Sequence, residues 1–292
     1  MKVKFTFFFL SLILLFTVSL NNIIELNKLN MMRNNSSINT RNSNFYNKQE
    51  LPKEKLIISY CSGGEVDEKV DEAVENGSNV IIWFALNLVE ENGKQVIYDN
   101  NLNYIELGKK VKKFKEAFPT RTISHLISIG GWNAPHISTS FSAWEWFEFL
   151  DNWNKNVVAN QYFDGFQGFD WDLEGNDDLK SEFNHFTKPT LDLMGELSQL
   201  LKAHGYIVSM APAESYFDSK ENGFSLSLQF NPSWMGKDTF LYHGKNVYAY
   251  LYFNYKNLNQ KMKEIYTKNF FTNTEQSMKN EISTYDFISI QL

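Results

Sequence analysis

The chain has 292 residues, with 28 lysines and arginines against 34 acids and a net charge of −6. At 43% hydrophobic, 16% aromatic and 21% charged, it has the composition of a globular protein with a large core, which excludes a wholly disordered, collagen-like or coiled-coil chain. The acidic balance argues against nucleic acid as a partner, and a single cysteine, Cys61, excludes both an internal disulfide and a thiolate-rich zinc ribbon.

Lys2 and Lys4 precede an uncharged, apolar run from Phe5 to Leu20. The run is shorter than the ~20 residues a spanning helix needs, and Thr17 and Ser19 offer a cleavage site, so residues 1–20 are expected to be a signal peptide of a secreted, extracellular protein with no membrane attachment after cleavage. Ten of the thirty residues from Asn21 to Glu50 are asparagine and the apolar residues among them have no period, which predicts a disordered spacer over 21–50. Sequons at Asn34, Asn35 and Asn76 suit a secreted chain.

From Leu56 onward, short β-rich runs alternate with helical patterns. LIISYC (56–61) predicts a strand and DEKVDEAVENG (67–77) a helix closed by Gly77. NVIIWFAL (79–86) predicts a second strand, and 103–118 a helix with an apolar stripe of Ile105, Val111, Phe114 and Phe118 that stops at Pro119. TISHLISIG (122–130) is the third predicted strand. The aromatic helix after it is expected to start at Ser142, whose hydroxyl can form a capping box with Glu145. GFDWDLE (168–174) is the fourth strand, 191–205 a helix ended by Gly205, and YIVSMAP (206–212) the fifth strand. A long aromatic segment and a helical stretch over about 258–280 lead to a sixth strand, YDFISIQL.

This alternation implies parallel βαβ units, either in an open doubly wound sheet or in a (β/α)8 barrel. The segment SYCSGGE (59–65) after the first strand lacks the G-x-G-x-x-G spacing of a dinucleotide fold, which favours the TIM barrel and leaves no cofactor expected.

Chemistry concentrates on the fourth strand. Side chains in a strand alternate faces, so Asp170, Asp172 and Glu174 share one face and Phe169, Trp171 and Leu173 the other. Neighbouring acids are then roughly 6.5–7 Å apart at the backbone, close enough to repel, and burial requires a shared proton or a compensating ligand. A calcium loop is disfavoured because the twelfth position from Asp170 is Ser181 rather than a bidentate glutamate. Glu174, the acid nearest the strand's C-terminal end, suits general acid catalysis in a barrel, where catalytic groups gather at that end. Trp171, on the opposite face, is expected to pack on a helix. His125 and His185 are read as structural, and Trp83 and the aromatics of 144–153 mostly as core.

At these residues the chain resembles glycoside hydrolase family 18, whose D-G-x-D-x-D-x-E signature is matched by Gln167-Gly168-Phe169-Asp170-Trp171-Asp172-Leu173-Glu174, with Gln167 replacing the leading acid. Ser128-Ile129-Gly130-Gly131, followed by Trp132, is similar to the family's S-x-G-G motif. Met210-Ala211-Pro212 resembles its next motif, with Ala213 where Glu or Gln is common and the role of Glu214 left open. The wording GFDWDLEG with its Asn-rich spacer resembles that of secreted chitinases of malaria parasites.

The resemblance implies an endo-acting chitinase that cleaves β-1,4-linked N-acetylglucosamine by substrate-assisted retaining catalysis. Glu174 would be the acid and later the base, Asp172 would orient the substrate's acetamido group, and Asp170 would share a proton with Asp172. Substrate-binding candidates are Trp132 and Tyr216 as sugar-stacking rings, with Gly131, Tyr60, Met210 and Gln291. The expected partner is chitin or a chito-oligosaccharide, and nothing in the sequence signals an oligomer. The alternative is a lectin that keeps the cleft without turnover. Six strands are counted where a barrel needs eight, so 51–292 is expected to be a C-terminally truncated catalytic domain, in which Gln291-Leu292 begins the family's Q-x-Y-N strand.

Overall fold

Six parallel strands lie side by side in chain order, and that order decides the architecture. In the computed structural model, which describes residues 47–62, 68–178, 180–212, 239–241, 247–271 and 278–291, they are β1 (Ile58–Ser62), β2 (Val80–Glu91), β4 (Ser124–Gly131), β5 (Gly168–Leu173), β7 (Ile207–Met210) and β9 (Phe287–Ile288). Each pairs in parallel with the next. A doubly wound sheet reverses its strand order at a switch point; this one never does, so it is an incomplete (β/α)8 barrel. The signal-peptide and spacer expectations for 1–46, together with Ala213, Glu214, Tyr216 and Leu292, lie outside the described residues. No helix among the described residues is long and apolar enough to cross a membrane.

The helices form where their caps predict. α1 (Glu68–Glu75) ends before Gly77, whose φ of +108° reverses the chain at low cost because glycine has no Cβ. Asn103 caps α2 (Tyr104–Ala117), and Ser142 and Glu145 form the expected capping box of α3 (Ala143–Trp153). α4 (Lys188–Ala203) carries the longest buried stripe, from Thr190 to Ala203. The buried stripe of α2 is Leu107, Gly108, Val111 and Phe114; Ile105 instead faces solvent, because it lies off the 3.6-residue spacing of that stripe.

Two elements differ from the sequence reading. β2 runs five residues past Leu86 and turns through Asn92-Gly93 into an antiparallel partner, β3 (Lys94–Tyr98). Both turn residues have positive φ (+52° and +73°), the two-residue geometry that Asn-Gly adopts readily. Among its described residues the aromatic segment contains two short elements: β8 (Thr239–Leu241), paired antiparallel with β6 (His185–Thr187), and the helix α5 (Val247–Tyr255). The predicted stretch at 258–280 is the helix α6 (Gln260–Phe270).

Register divides the sheet into two faces. One buries the large apolar core against the helices, including Trp83, Phe169, Trp171, Leu173, Val208 and Met210. The other holds a small apolar cluster of Val80, Ile82, Leu126 and Ile207 inside the arc, flanked by Ile58, Tyr60 and Phe287. Above that cluster, Ser128, Asp170 and Ser209 stand in register on neighbouring strands, so the inner face turns polar toward its C-terminal end.

β4 and β5 approach so closely that a Cβ at Gly130, where φ is +107°, would sit 2.7 Å from the Asp172 carbonyl oxygen. A Cβ at Gly131, with φ +112°, would meet nothing within 4 Å. Gly130→Ala is therefore expected to cost about 2–4 kcal/mol, strain plus overpacking, and Gly131→Ala only the strain. Urea midpoints of the two variants measure the difference, and equal costs would show that the close approach constrains nothing.

Candidate active site

β5 points its three acids as alternation dictates. Asp170 is fully buried, Asp172 is 2% exposed, and Glu174, one residue past the strand, is half-buried. On the other face, the Trp171 indole N–H donates to Ser198 Oγ at 2.7 Å on α4, the helix packing expected of it.

Ser209 Oγ donates to Asp170 Oδ1 at 2.5 Å and Tyr60 Oη to Oδ2 at 3.2 Å, so two other strands answer one carboxyl. Burial still dominates, pushing the Asp170 carboxyl up to about 7 against both hydrogen bonds. Asp172 accepts from Gln291 Nε2, whose amide also donates to the Ala211 carbonyl at 2.8 Å. Burial, the Glu174 charge and the Asp170 charge, in that order, raise Asp172 well above the usual carboxylate range. Its hydrogen-bonding acid partner is Glu174, whereas Asp170 is engaged by Ser209 and Tyr60. Burial and the neighbouring aspartates raise the Tyr60 hydroxyl, keeping it a donor.

The structure brings Tyr60, Asp170, Asp172, Glu174 and Gln291 together and places Trp132, 51% exposed, directly after β4. Gly131, in register with Leu173, is the last paired residue of β4. Met210 is a correction. It pairs with Trp171 and lies in the sheet–helix core, on the face opposite the acids, because strand alternation turns Ser209 inward and Met210 outward. Alternation within IVSM was the signal that could have found Ser209. Gln167, in place of the motif's leading acid, joins two strands, its Oε1 accepting from the His125 backbone N–H at 2.6 Å.

The histidines separate. His125 is buried between Trp83 and Phe114, accepts from the Trp83 indole at 3.3 Å, and is pushed by burial down to about 3, a neutral structural ring. His185 is exposed, so the buried structural role does not extend to it. Trp83, Trp146, Phe147 and Trp153 are core as expected, while Trp144 is 47% exposed.

Beyond Glu174, loops form a polar concavity of about 680 Å³ lined by Asn133, Asn176, Asp178, Lys180, Ser181, Glu182 and Phe183. None of Asp170, Asp172 and Glu174 lines it. Asn176 joins its two sides, donating from Nδ2 to Asn133 Oδ1 at 2.6 Å and to Ser181 Oγ at 2.8 Å.

No protein-family model matches the chain, and no curated protein matches it. Solved structures do. The C-terminal domain of ChiA from Legionella pneumophila aligns at 16% identity over 68% of this chain and 54% of that one, with a TM-score of 0.42. A Group IV chitinase of Ostrinia furnacalis aligns at 17% identity over 55% and 44%, TM-score 0.38. A xylanase and alpha-amylase inhibitor protein from Scadoxus multiflorus aligns at 17% over 55% and 57%, TM-score 0.37. The chain spans about half the length of these structures.

A buried carboxyl raised toward neutrality leaves a measurable trace. Between about pH 4 and pH 7 the folded state keeps a proton on Asp170 that the unfolded state has released, so stability is expected to fall as pH rises, at up to ~1.4 kcal/mol per pH unit. Asp170→Asn, neutral throughout, should lessen that slope in urea titrations across the window, the remainder coming from Asp172, whose carboxyl burial also raises. A slope identical to wild type would mean that Asp170 is ionised in the fold.

Proposed function

We propose that the protein is a secreted, endo-acting chitinase that hydrolyses β-1,4-linked N-acetylglucosamine by substrate-assisted retaining catalysis. The observation that carries this reading is the graded burial along one strand face: Asp170 and Asp172 are buried, which raises both carboxyls, and Glu174 stands half-exposed at the C-terminal end of β5. In this reading Glu174 protonates the glycosidic oxygen and later activates water. The substrate's 2-acetamido oxygen attacks the anomeric carbon, giving a cyclic oxazolinium ion. Asp172, positioned by Gln291 and carrying a proton, donates to and orients the acetamido group. Asp170, held by Ser209 and Tyr60, fixes the inner end of the row of acids on which Asp172 and Glu174 stand. Trp132 offers a ring face to the apolar side of a pyranose.

Residues 1–20 act as the signal peptide, 21–50 as spacer and 51–292 as part of the catalytic domain. The similarity in wording to malaria-parasite chitinases rests on 168–175 and the spacer. The second reading, a chitin-binding lectin, keeps the same cleft and predicts binding without turnover.

Glu174→Gln in the full-length protein should lower hydrolysis of N-acetylglucosamine oligomers by at least ~10²-fold while leaving binding largely intact. Wild-type turnover from that variant would remove Glu174 from the acid role, and binding without turnover in the unaltered protein would favour the lectin. Chito-oligomers should be cleaved and fully deacetylated oligomers of equal length should not; equal rates on both would defeat substrate assistance.

A further inference from the structure

β2 outruns its partner in the barrel. Its last pair with β4 joins Leu86 to Ile129, and the five residues beyond, Asn87 to Glu91, pair with β3 instead. Parity decides which way this hairpin faces. Leu86, Leu88 and Ile97 lie in the helix-facing core together with Ile129 and Trp171. Asn87, Val89 and Glu91 therefore point the other way, with Val96 and Tyr98 of β3 beside them in register, on the side of the sheet that carries Asp170, Asp172 and Glu174. The hairpin is tied to the rim: Ser138, in the loop after β4, donates its N–H to the Leu88 carbonyl at 3.2 Å, and its own carbonyl accepts from the Trp146 indole of α3 at 2.9 Å. β2 stands two strands from β5 in the sheet order, roughly 10 Å away at the usual strand spacing.

Tyr98 pairs with Asn87, and Glu91 with Lys94 four residues along the ladder, yet the Tyr98 hydroxyl donates to Glu91 Oε1. That bond forms only when the ring lies along the strands, across the half-buried Val89–Val96 pair. One ring face then rests on the two valines and the other turns outward, with the residue 38% exposed. The bond to Glu91 raises the hydroxyl to about 12, so it stays a donor at neutral pH. A flat apolar ring with a carboxylate at its edge matches a pyranose, whose C–H face stacks on an aromatic while its hydroxyls and amide N–H donate to an acceptor. We infer that this hairpin face is a remote sugar subsite, in which Tyr98 stacks on one N-acetylglucosamine unit of a chain running from Glu174 past Trp132 to the hairpin. The inference rests on the substrate reading above and deepens it, making chain length a determinant of binding.

The test uses the full-length protein, with the trimer and hexamer of N-acetylglucosamine as probes and Glu174→Gln as the background for binding, so that the ligand is not consumed. Tyr98→Ala should weaken hexamer binding about threefold to tenfold by calorimetry and leave trimer binding unchanged, because only the longer chain reaches across the sheet. Tyr98→Phe, which keeps the ring and loses its tether to Glu91, should give a smaller loss. Trp144→Ala, which removes an exposed aromatic from α3 in the helix layer, should change neither. With Glu174 intact, Tyr98→Ala should raise KM for the hexamer by a similar factor with kcat nearly unchanged.

Hexamer affinity unmoved by Tyr98→Ala would overturn the inference and leave the hydrolase reading intact. So would an equal loss for trimer and hexamer, which would make Tyr98 a general support of the cleft. Among the described residues β3 pairs only with β2, so its other edge is open to a second copy of the chain. Sedimentation decides that alternative: a dimer that Tyr98→Ala dissolves, with hexamer affinity unchanged, would assign the face to self-association. A hexamer-specific loss in a protein that releases no product would retire the hydrolase reading and keep the subsite, and a protein that binds neither oligomer would end both.

Discussion

Three carboxyls on one face of one buried strand are the constraint that the rest of the structure answers. An isolated carboxylate in a low-dielectric interior is unfavourable by several kcal/mol, and neighbouring like charges add to that. The arc responds with neutrality for part of the set and hydrogen bonds for the remainder. Asp170 receives Ser209 from one strand and Tyr60 from another, and Asp172 receives Gln291 from beyond β9. Each donor comes from a different segment, so the acid face is assembled only when those segments stand in register. The polar inner layer therefore depends on the sheet, and the sheet depends on the apolar layer outside it.

That outer layer is what makes the arrangement stable enough to hold charge. Phe169, Trp171 and Leu173 anchor β5 in the helix-facing core, and Trp171 adds an indole bond to Ser198 that fixes the strand's rotation. A one-residue slip of β5 would exchange the faces, driving three acids into the helix layer and two bulky aromatics into the arc. The close pairing of Gly130 with Asp172 acts against such a slip, since no other residue type fits there without moving backbone. α5 is tied to the same layer by Asp192, which accepts from both Tyr250 and Tyr255 at 2.6 and 2.8 Å. That clamp holds the helix on which Tyr248 reaches β5.

Much of this is legible in the chain itself, wherever a local rule and the global fold agree. The faces of β5 follow from period-two alternation, the caps at Asn103 and Ser142 from side-chain chemistry, and the barrel topology from the succession of strand and helix patterns. The β2–β3 hairpin is also written there, as Asn92-Gly93 between alternating runs, but the helix-like spacing expected after a barrel strand obscures it. α5 is not legible. VYAYLYFNY is aromatic on every side and has no period, so its helix is decided by tertiary partners such as Asp192. Met210 shows how a motif can mislead where parity does not: resemblance placed it at the substrate, and alternation from Asp170 through its register partner Ser209 places it in the core.

Position along a single strand separates the roles of the three acids. Asp170 has hydrogen-bond donors and no solvent, so it tolerates charge only weakly and is held in place. Asp172 has one amide donor and two acidic neighbours, so a proton is the least costly way to satisfy it. Glu174 leaves the ladder and stands half-exposed. Moving from the strand's interior to its end, the backbone passes from strand pairing to side-chain anchoring just as the carboxyl passes from burial to exposure. An acid that must accept and release protons needs solvent contact, and one that must be aimed needs a fixed backbone. One residue beyond the ladder, Glu174 has solvent contact, and Tyr248 donates to the carbonyl of the residue before it at 3.1 Å.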